Sequence, residues 1–593
     1  TLISAADNFT KVYNTHTLKF GAYFQFTTNV GASFNADMGW LEPTNWGGNS
    51  TGNAYADLLL GRVGEYLEWT PNPVAQKRWR EFAFYAQDSW KATPRLTFEL
   101  GGRFQHQGFM YENHGWLAGF DPAKYDPDAP MSDYTGIVAA YRGDDVPRSI
   151  FTTPFLRVGP RIGFAYDLTG KGTTVLRGGA GAFLYRDAGV LQENNHANPP
   201  LQLGVQVCCA LQLSEIDQLA PEEILARPNE LQVLDPYDDR VPTTYSWSLT
   251  LSKRIPSQTV LEASYVATTS RNQMNTQDIN FNAVPEGAMF PLLDDPESGC
   301  LDDLQGCAQS LRPFPNYGTL ALRKHNLNQH YHAFQFTAQR WTGRINYSVA
   351  YTFSKALGVL GMTQQFGGLD SFDRRGRLYG VLPYDRTHLL RIAYNFLLPD
   401  ATRNAALGHL LNGWQISGIT SFESGMPFNM YSENYAGSVS VNGTSVDGDA
   451  FGGDVGPIFL VGTPDTSVQP YLVCDPREGL AANQYANPNC FTAPSRGRNG
   501  HYQLPYLKRP ARQNHDLSIF KNFSLGREDR KLQFRASMYN FLNHPLWVFE
   551  EADPGFQLSF EDGVLTPDSI DNFGIPIKKR GKRILQFMLK FMF

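Results

Sequence analysis

The stretch Ile345-Asn346-Tyr347-Ser348-Val349-Ala350-Tyr351-Thr352-Phe353-Ser354 decides the fold class. Its odd-numbered residues are all large and apolar, its even-numbered residues all small or polar. A period of two puts these sets on opposite faces of one extended strand. The pattern recurs outward along the chain. Leu96, Phe98, Leu100 and Phe104 oppose Thr97, Glu99, Arg103 and Gln105, and Leu390, Ile392, Tyr394 and Phe396 oppose Arg391 and Asn395. A packed protein core would not accept Arg, Glu and Gln, whereas a water-filled lumen would. Strands of ten residues also exceed the soluble mode of about five or six and suit a tilted bilayer crossing of about 9–11. The class is all-β, a transmembrane antiparallel β-barrel. On this reading Tyr347, Tyr351 and Phe353 face lipid, while Asn346, Ser348 and Thr352 face the interior.

Twelve more segments read as strands: 17–28, 62–70, 80–90, 161–168, 173–185, 243–253, 259–268, 330–340, 413–422, 515–523, 531–540 and 582–593. The expected number present is thus about 15–17. Connections fall into two kinds. Ala92-Thr-Pro-Arg95, Thr169-Gly-Lys-Gly172 and Gly526-Arg-Glu-Asp529 are tight, with the Pro, Gly and Asp that hairpins require. Those near 108–159, 187–242, 269–328 and 424–511 are long and polar, far above the usual six or so residues of a compact domain. Short periplasmic turns and long extracellular loops characterise outer-membrane barrels.

Composition narrows the field further. The chain has 593 residues, 51 Lys+Arg against 57 Asp+Glu, and 18% charged residues against about 25% in ordinary soluble domains. With no basic run, no nucleic-acid partner is expected. No stretch approaches the roughly 20 apolar residues of a membrane helix. Thr1-Leu-Ile-Ser-Ala-Ala-Asp7 does not read as a signal peptide.

The chain ends Lys582-Arg-Ile-Leu-Gln-Phe-Met-Leu-Lys-Phe-Met-Phe593, with Leu585, Phe587, Leu589, Phe591 and Phe593 on one face. A last strand of this kind resembles the sorting signal read by the outer-membrane assembly machinery. Further stretches carry a family resemblance: Asn14-Thr-His-Thr-Leu-Lys-Phe-Gly21, Tyr85-Ala-Gln-Asp-Ser-Trp-Lys91, Pro160-Arg-Ile-Gly-Phe-Ala-Tyr-Asp167, Leu176-Arg-Gly-Gly-Ala-Gly-Ala-Phe183, Arg312-Pro-Phe-Pro-Asn-Tyr-Gly318 and Ala350-Tyr-Thr-Phe-Ser-Lys355. Later ones are Gly413-Trp-Gln-Ile-Ser-Gly418, Ser424-Gly-Met-Pro-Phe428, Asn489-Cys-Phe491, Asp516-Leu-Ser-Ile-Phe-Lys521 and Phe534-Arg-Ala-Ser-Met-Tyr-Asn-Phe-Leu-Asn-His-Pro545. In this order they resemble the C-terminal barrel of TonB-dependent outer-membrane receptors of the Oar-like type, which carry a carboxypeptidase-regulatory-like domain and a plug. The resemblance implies a 22-stranded barrel. It also implies that residues 1–593 are its C-terminal part, without the N-terminal extension, plug and first strands. Asp7-Asn-Phe-Thr-Lys-Val-Tyr13 then reads as the end of an earlier strand. The sheet is expected to be open, with unpaired edges near Thr17–Thr28 and at Leu585–Phe593.

The resemblance implies import of a bulky, scarce nutrient (siderophore, glycan or peptide), powered through TonB by the N-terminal part. Partners would be outer-membrane lipid, TonB, the assembly machinery and an unknown ligand. The alternative is an Oar-like surface adhesion or structural protein acting through its long loops, and a passive porin is a third reading. Arg103, Arg391 and Arg535 are lumen-facing candidates, either for ligand or for pairing with lumen carboxylates. All six cysteines fall in expected loops. Local spacing favours disulfides Cys300–Cys307 and Cys474–Cys490 and leaves adjacent Cys208 and Cys209 open. His330 and His332 share a strand face, as a metal pair or, more simply, as rim residues. Asp447-Gly-Asp449 and Asp454 suit turns better than a calcium loop. Asp294, Asp295, Glu297, Asp302 and Asp303 form an acidic loop, solvated or attracting cations at the mouth. Gly178-Gly-Ala-Gly181 in a strand suggests close approach of another backbone or of a plug. There is no nucleophile elbow, His-Glu-x-x-His or phosphate loop, so neither catalysis nor a cofactor is expected.

Overall fold

The computed structural model describes residues 1–31, 39–42, 50–70, 73–187, 195–218, 230–275, 280–359, 372, 379–427, 435–436, 438–441, 444–447, 457–466, 470–500, 507–524, 530–549, 558, 560–561 and 564–593. One antiparallel sheet of 17 strands dominates it, and two of these, Tyr111–Glu112 and Tyr379–Val381, are short additions at the upper rim. The long strands, in chain order, are β1 Leu2–Tyr13, β2 His16–Gly31, β3 Ala75–Thr93, β4 Leu96–Gln107, β5 Arg157–Asp167, β6 Thr174–Leu184, β7 Thr243–Arg254 and β8 Val260–Met274. They continue as β9 His325–Arg340, β10 Ile345–Val359, β11 His388–Leu397, β12 Trp414–Glu423, β13 Arg512–Ser524, β14 Lys531–Tyr539 and β15 Ile584–Met592. Each pairs with the next in sequence.

The register shows why alternation was so legible. Leu176 faces Leu251, which faces Ala263, and the row continues through Phe336, Tyr351, Leu390 and Phe422. One position over, Thr250, Ser264, Gln335 and Thr352 form a row on the opposite face. The apolar face stays open, with Leu249, Tyr265, Phe334 and Phe353 all exposed, because lipid rather than protein covers it. A slip of one residue would move the whole polar row into hydrocarbon, so the register is fixed by the different solvents on the two faces.

The segment expected as a strand at 62–70 is one, Arg62–Trp69, but it is not a stave of the barrel. It pairs with Trp40–Glu42 and Gly204–Gln212 in a separate three-stranded sheet. The reason is topological: β2 already takes β3 as its neighbour over its whole length, leaving no ladder position for the segment between them. Most hairpin turns at the lower rim are short, as at Pro94-Arg95. The connection from β11 to β12 instead carries a helix, Ala405–Leu411, capped by Asn404, whose side chain accepts from the Leu407 N–H. The turn at Gly526–Asp529 lies outside the described residues. At Gly178 the Phe164 ring from β5 would sit 2.5 Å from an added Cβ, so an aromatic side chain claims the space, whereas at Gly179 the nearest atom is the backbone carbonyl oxygen of Ile162 at 3.4 Å, the close backbone approach that the glycines suggested.

Among the described residues, β1 pairs only with β2 and β15 only with β14, so the sheet is open rather than closed on itself. The Ile584–Met592 strand continues the apolar face through Leu585 opposite Met538, Phe587 opposite Ala536, Leu589 opposite Phe534 and Phe591 opposite Leu532. All four, and terminal Phe593, are exposed.

Candidate functional site

The buried apolar cores of this chain lie mainly in the long connections rather than between the strands. One unites Val284, Met289 and Leu293 from the β8–β9 loop with Phe459, Leu460 and Phe491 from the β12–β13 loop and Phe549, Phe560 and Phe573 from the β14–β15 loop. A second packs Phe120, Tyr134 and Ile137 from the β4–β5 loop against Leu231 and Val233 of the β6–β7 loop and Tyr317, Leu320 and Leu322 of the β8–β9 loop. Three loops also share one sheet, in which Glu230–Leu234 runs parallel to Thr319–Arg323 and to Gly119–Phe120. Loops of this length that bury their own apolar side chains become an ordered surface. The upper rim thus carries a folded cap.

Polar clamps tie the cap together. Arg312 donates from Nη1 to Asp465 Oδ2 at 2.9 Å and to the Asn282 carbonyl at 2.7 Å. Asp465 also accepts from Asn280 Nδ2 and the Val284 N–H, each at 2.8 Å. Asn282 Nδ2 donates to the carbonyls of Phe314, Tyr317 and Gly318, so the Arg312–Gly318 motif is a structural hub. Asp385, 1% exposed, accepts from the Ala356 N–H at 2.8 Å and from Lys508 Nζ at 3.0 Å. Cys300–Cys307 and Cys474–Cys490 are joined, with Cα separations of 5.5 Å and 4.8 Å.

His325 is the clamp that the sequence concealed. It opens β9 at the extracellular end, beyond the roughly ten residues nearest the short turn that cross the bilayer. Its ring is fully buried beside Phe109 and Phe151, at centroid distances of 5.0 and 4.9 Å. Nε2 lies 2.7 Å from Asp187 Oδ2 and Nδ1 lies 2.8 Å from Asp238 Oδ2. Burial by itself would lower the imidazole pKa. The hydrogen bonds and charges of the two aspartates outweigh it and raise the group to about 9. Burial pushes Asp238 upward, and its bonds to His325 and to the Arg240 N–H more than reverse this, leaving it below the ordinary value.

The sign of the linkage follows. With a folded pKa above the unfolded value of 6.5, the His325 contribution is fully present below pH 6.5 and is lost as pH rises through about 9. Protease cutting in the β6–β7 loop, which carries Asp187 and Asp238, should therefore rise between pH 7 and pH 10, and in His325→Phe should be high and flat. Parent cleavage that does not change over this range would exclude the clamp.

On the inner face, Arg103 Nε donates to Gln105 Oε1 at 2.8 Å, and its Nη2 is 3.6 Å from Glu81 Oε1. Arg391 Nη2 is 3.5 Å from Glu423 Oε1. Arg535 sits over the Phe520 ring at 5.9 Å. Arg177 pairs with Glu262 two strands away. The three candidate arginines are spread around the sheet rather than gathered at one point, and two of them pair with glutamates. His330 bonds with Thr269 Oγ1 at 3.2 Å and His332 with the Tyr265 hydroxyl at 2.7 Å. Asp294 meets Arg496 at 2.7 Å, and Asp303 caps the helix Leu304–Ser310. Gly448, Asp449 and Asp454 lie outside the described residues. Of Cys208, only its backbone place opposite Glu65 is described.

A family profile described as "Outer membrane beta barrel domain" matches residues 1–586. The chain belongs to this family. The protein is accordingly located in the outer membrane of a Gram-negative-type bacterium. No protein of curated function matches the chain. Among solved structures it is similar to the outer membrane transporter YddB from Escherichia coli, at 9% identity and a TM-score of 0.44, over 100% of this chain and 55% of that one. It is also similar to a variant of the ferric enterobactin receptor PfeA from Pseudomonas aeruginosa, at 10% identity and a TM-score of 0.44, over 100% and 54%. A third is the ferric-catecholate import receptor Fiu from E. coli K12, at 11% identity and a TM-score of 0.40, over 100% and 54%. The chain spans about half the length of these proteins.

Proposed function

We propose that this chain is the ligand-collecting cap and most of the wall of an outer-membrane transporter that imports a bulky, scarce nutrient. The observation that carries the reading is the pairing of a folded extracellular cap with an inner face of Arg, Glu, Ser, Thr and Gln side chains. An ordered cap offers a preformed binding surface, and a polar lumen offers a wetted path beneath it. Backbone groups left unpaired in lipid cost several kcal/mol each, so the outer edges of β1 and β15, which have no strand partner among the described residues, favour further strands upstream that bring the barrel to 22. A plug and a TonB-engaging segment would precede those strands. TonB would then supply the energy. The outer-membrane assembly machinery would read Leu585, Phe587, Leu589, Phe591 and Phe593. A siderophore, a glycan and a peptide are the candidate cargo classes, and no reaction is assigned.

Cells carrying the full-length gene should accumulate labelled cargo, drawn from a panel of these three classes, in a manner abolished by deleting TonB. Binding to the surface with no TonB-dependent accumulation would favour the adhesion reading instead.

A further inference from the structure

The outer face of β5 to β8 holds a groove of about 590 Å³, within the size range of small-molecule sites. Its floor is the small side chains Ala180 and Ala182 of β6, which face Trp247 and Tyr245 on β7, while Ile162 of β5 forms the other wall opposite Ala180. These residues belong to the lipid-facing set, so what enters the groove comes from the membrane. At its extracellular end stands Arg271, which is exposed and, among the described residues, has no ion pair. Next to it along the rim are His330 and His332, on the same face through the pairs Thr269 with His330 and Ala267 with His332.

The charge on this face has one sign. Its residues run Val158 to Tyr166 on β5, Leu176 to Leu184 on β6, Thr243 to Lys253 on β7, Leu261 to Arg271 on β8 and His330 to Arg340 on β9, taking every second position. None of these outward positions is Asp or Glu; Glu262 lies on the inner face, where it pairs with Arg177. A cation at the rim above an apolar trough bordered by Trp and Tyr matches a ligand with a negative head and a hydrocarbon tail.

We infer that this groove binds a phosphate-bearing lipid of the outer leaflet, with an acyl chain over Ala180 and Ala182 and the phosphate on Arg271. A guanidinium suits the role because it offers paired donors to phosphate oxygens. The Tyr265 hydroxyl bond holds the His332 ring at the rim, where it borders Trp247 at a centroid distance of 6.1 Å.

The test uses the full-length protein in phosphatidylcholine nanodiscs titrated with lipid A, read by native mass spectrometry. Lipid A should be retained in preference to phosphatidylcholine. Arg271→Gln should lower retention about fivefold, the effect of one cation near a membrane surface. Ala180→Trp, at an exposed position, should fill the trough and lower retention by a similar factor while leaving heat-modifiable gel mobility unchanged. Equal retention of lipid A and phosphatidylcholine by the parent would overturn the inference without any variant. So would variants that bind like the parent, or complete displacement by an equal concentration of inorganic phosphate, which would mark a soluble-anion site.

Discussion

Arg312→Met is expected to destabilise the extracellular cap by about 3–5 kcal/mol while the strand sheet stays intact. Arg312 and Asp465 each expose only 11% of the side chain, so neither charge is rescued by water once its partner is gone. The guanidinium neutralises Asp465, and the same carboxylate holds Asn280 and the Val284 N–H, joining the β8–β9 loop to the β12–β13 loop. Truncating the arginine leaves a buried anion; truncating both removes the need for pairing. The double variant Arg312→Met with Asp465→Asn, whose amide oxygen still accepts, should therefore recover much of the loss. Urea melts followed by protease cutting in the loops would read the cap, and heat-modifiable gel mobility would read the sheet. Equal losses in single and double variants, or a single-variant loss below about 1 kcal/mol, would show that the pair is not a buried clamp.

The contrast between this pair and the strands explains what could be read in advance. A stave such as Ile345–Val359 has two solvents, lipid outside and water inside, and each residue answers to one of them; the alternation is written locally and needs no knowledge of neighbours. Cys300 with Cys307 and Cys474 with Cys490 also sit close in sequence. The cap is a different case. Phe120, Leu231 and Leu320 meet from three loops more than a hundred residues apart at the extremes, and the segments between them are rich in turn residues that read as solvated. His325 looks like an ordinary polar residue at a strand start. Its partners Asp187 and Asp238 stand 138 and 87 positions away. The Arg312–Gly318 motif was visible as a resemblance, but its physical meaning, a hub around Asn282, required the fold.

The same local logic misplaced Arg62–Trp69. Alternation reports a half-buried strand without naming what buries it, and here the partners are Trp40–Glu42 and Gly204–Gln212 rather than lipid and lumen. Period two is thus a reliable sign of a strand and a weaker sign of a stave; length does not separate them, since Gly204–Gln212 of the separate sheet and the stave β15 both have 9 residues, and only the pairing partners tell them apart.

Val349→Arg addresses the membrane reading itself. Val349 lies between Ile392 on β11 and Ala338 on β9, within the outward-facing set that includes Tyr347 and Tyr351. It is the fifth residue of β10 counted from the short turn, and with strands tilted by about 45° that depth falls near the middle of an apolar band about 25 Å tall. An arginine there should cost about 2–4 kcal/mol, because its head must leave water for hydrocarbon. Ser348→Arg, one residue away on the inner face between Ala393 and Gln339, should cost less than about 1 kcal/mol, because its head stays in the water-filled lumen. Both variants place the same side chain one residue apart on the same strand, so the face it enters is the main difference between them. Folding titrations into lipid vesicles would measure both variants. Equal penalties at the two neighbouring positions would mean that the faces do not see different solvents, and the barrel assignment of this strand would fall.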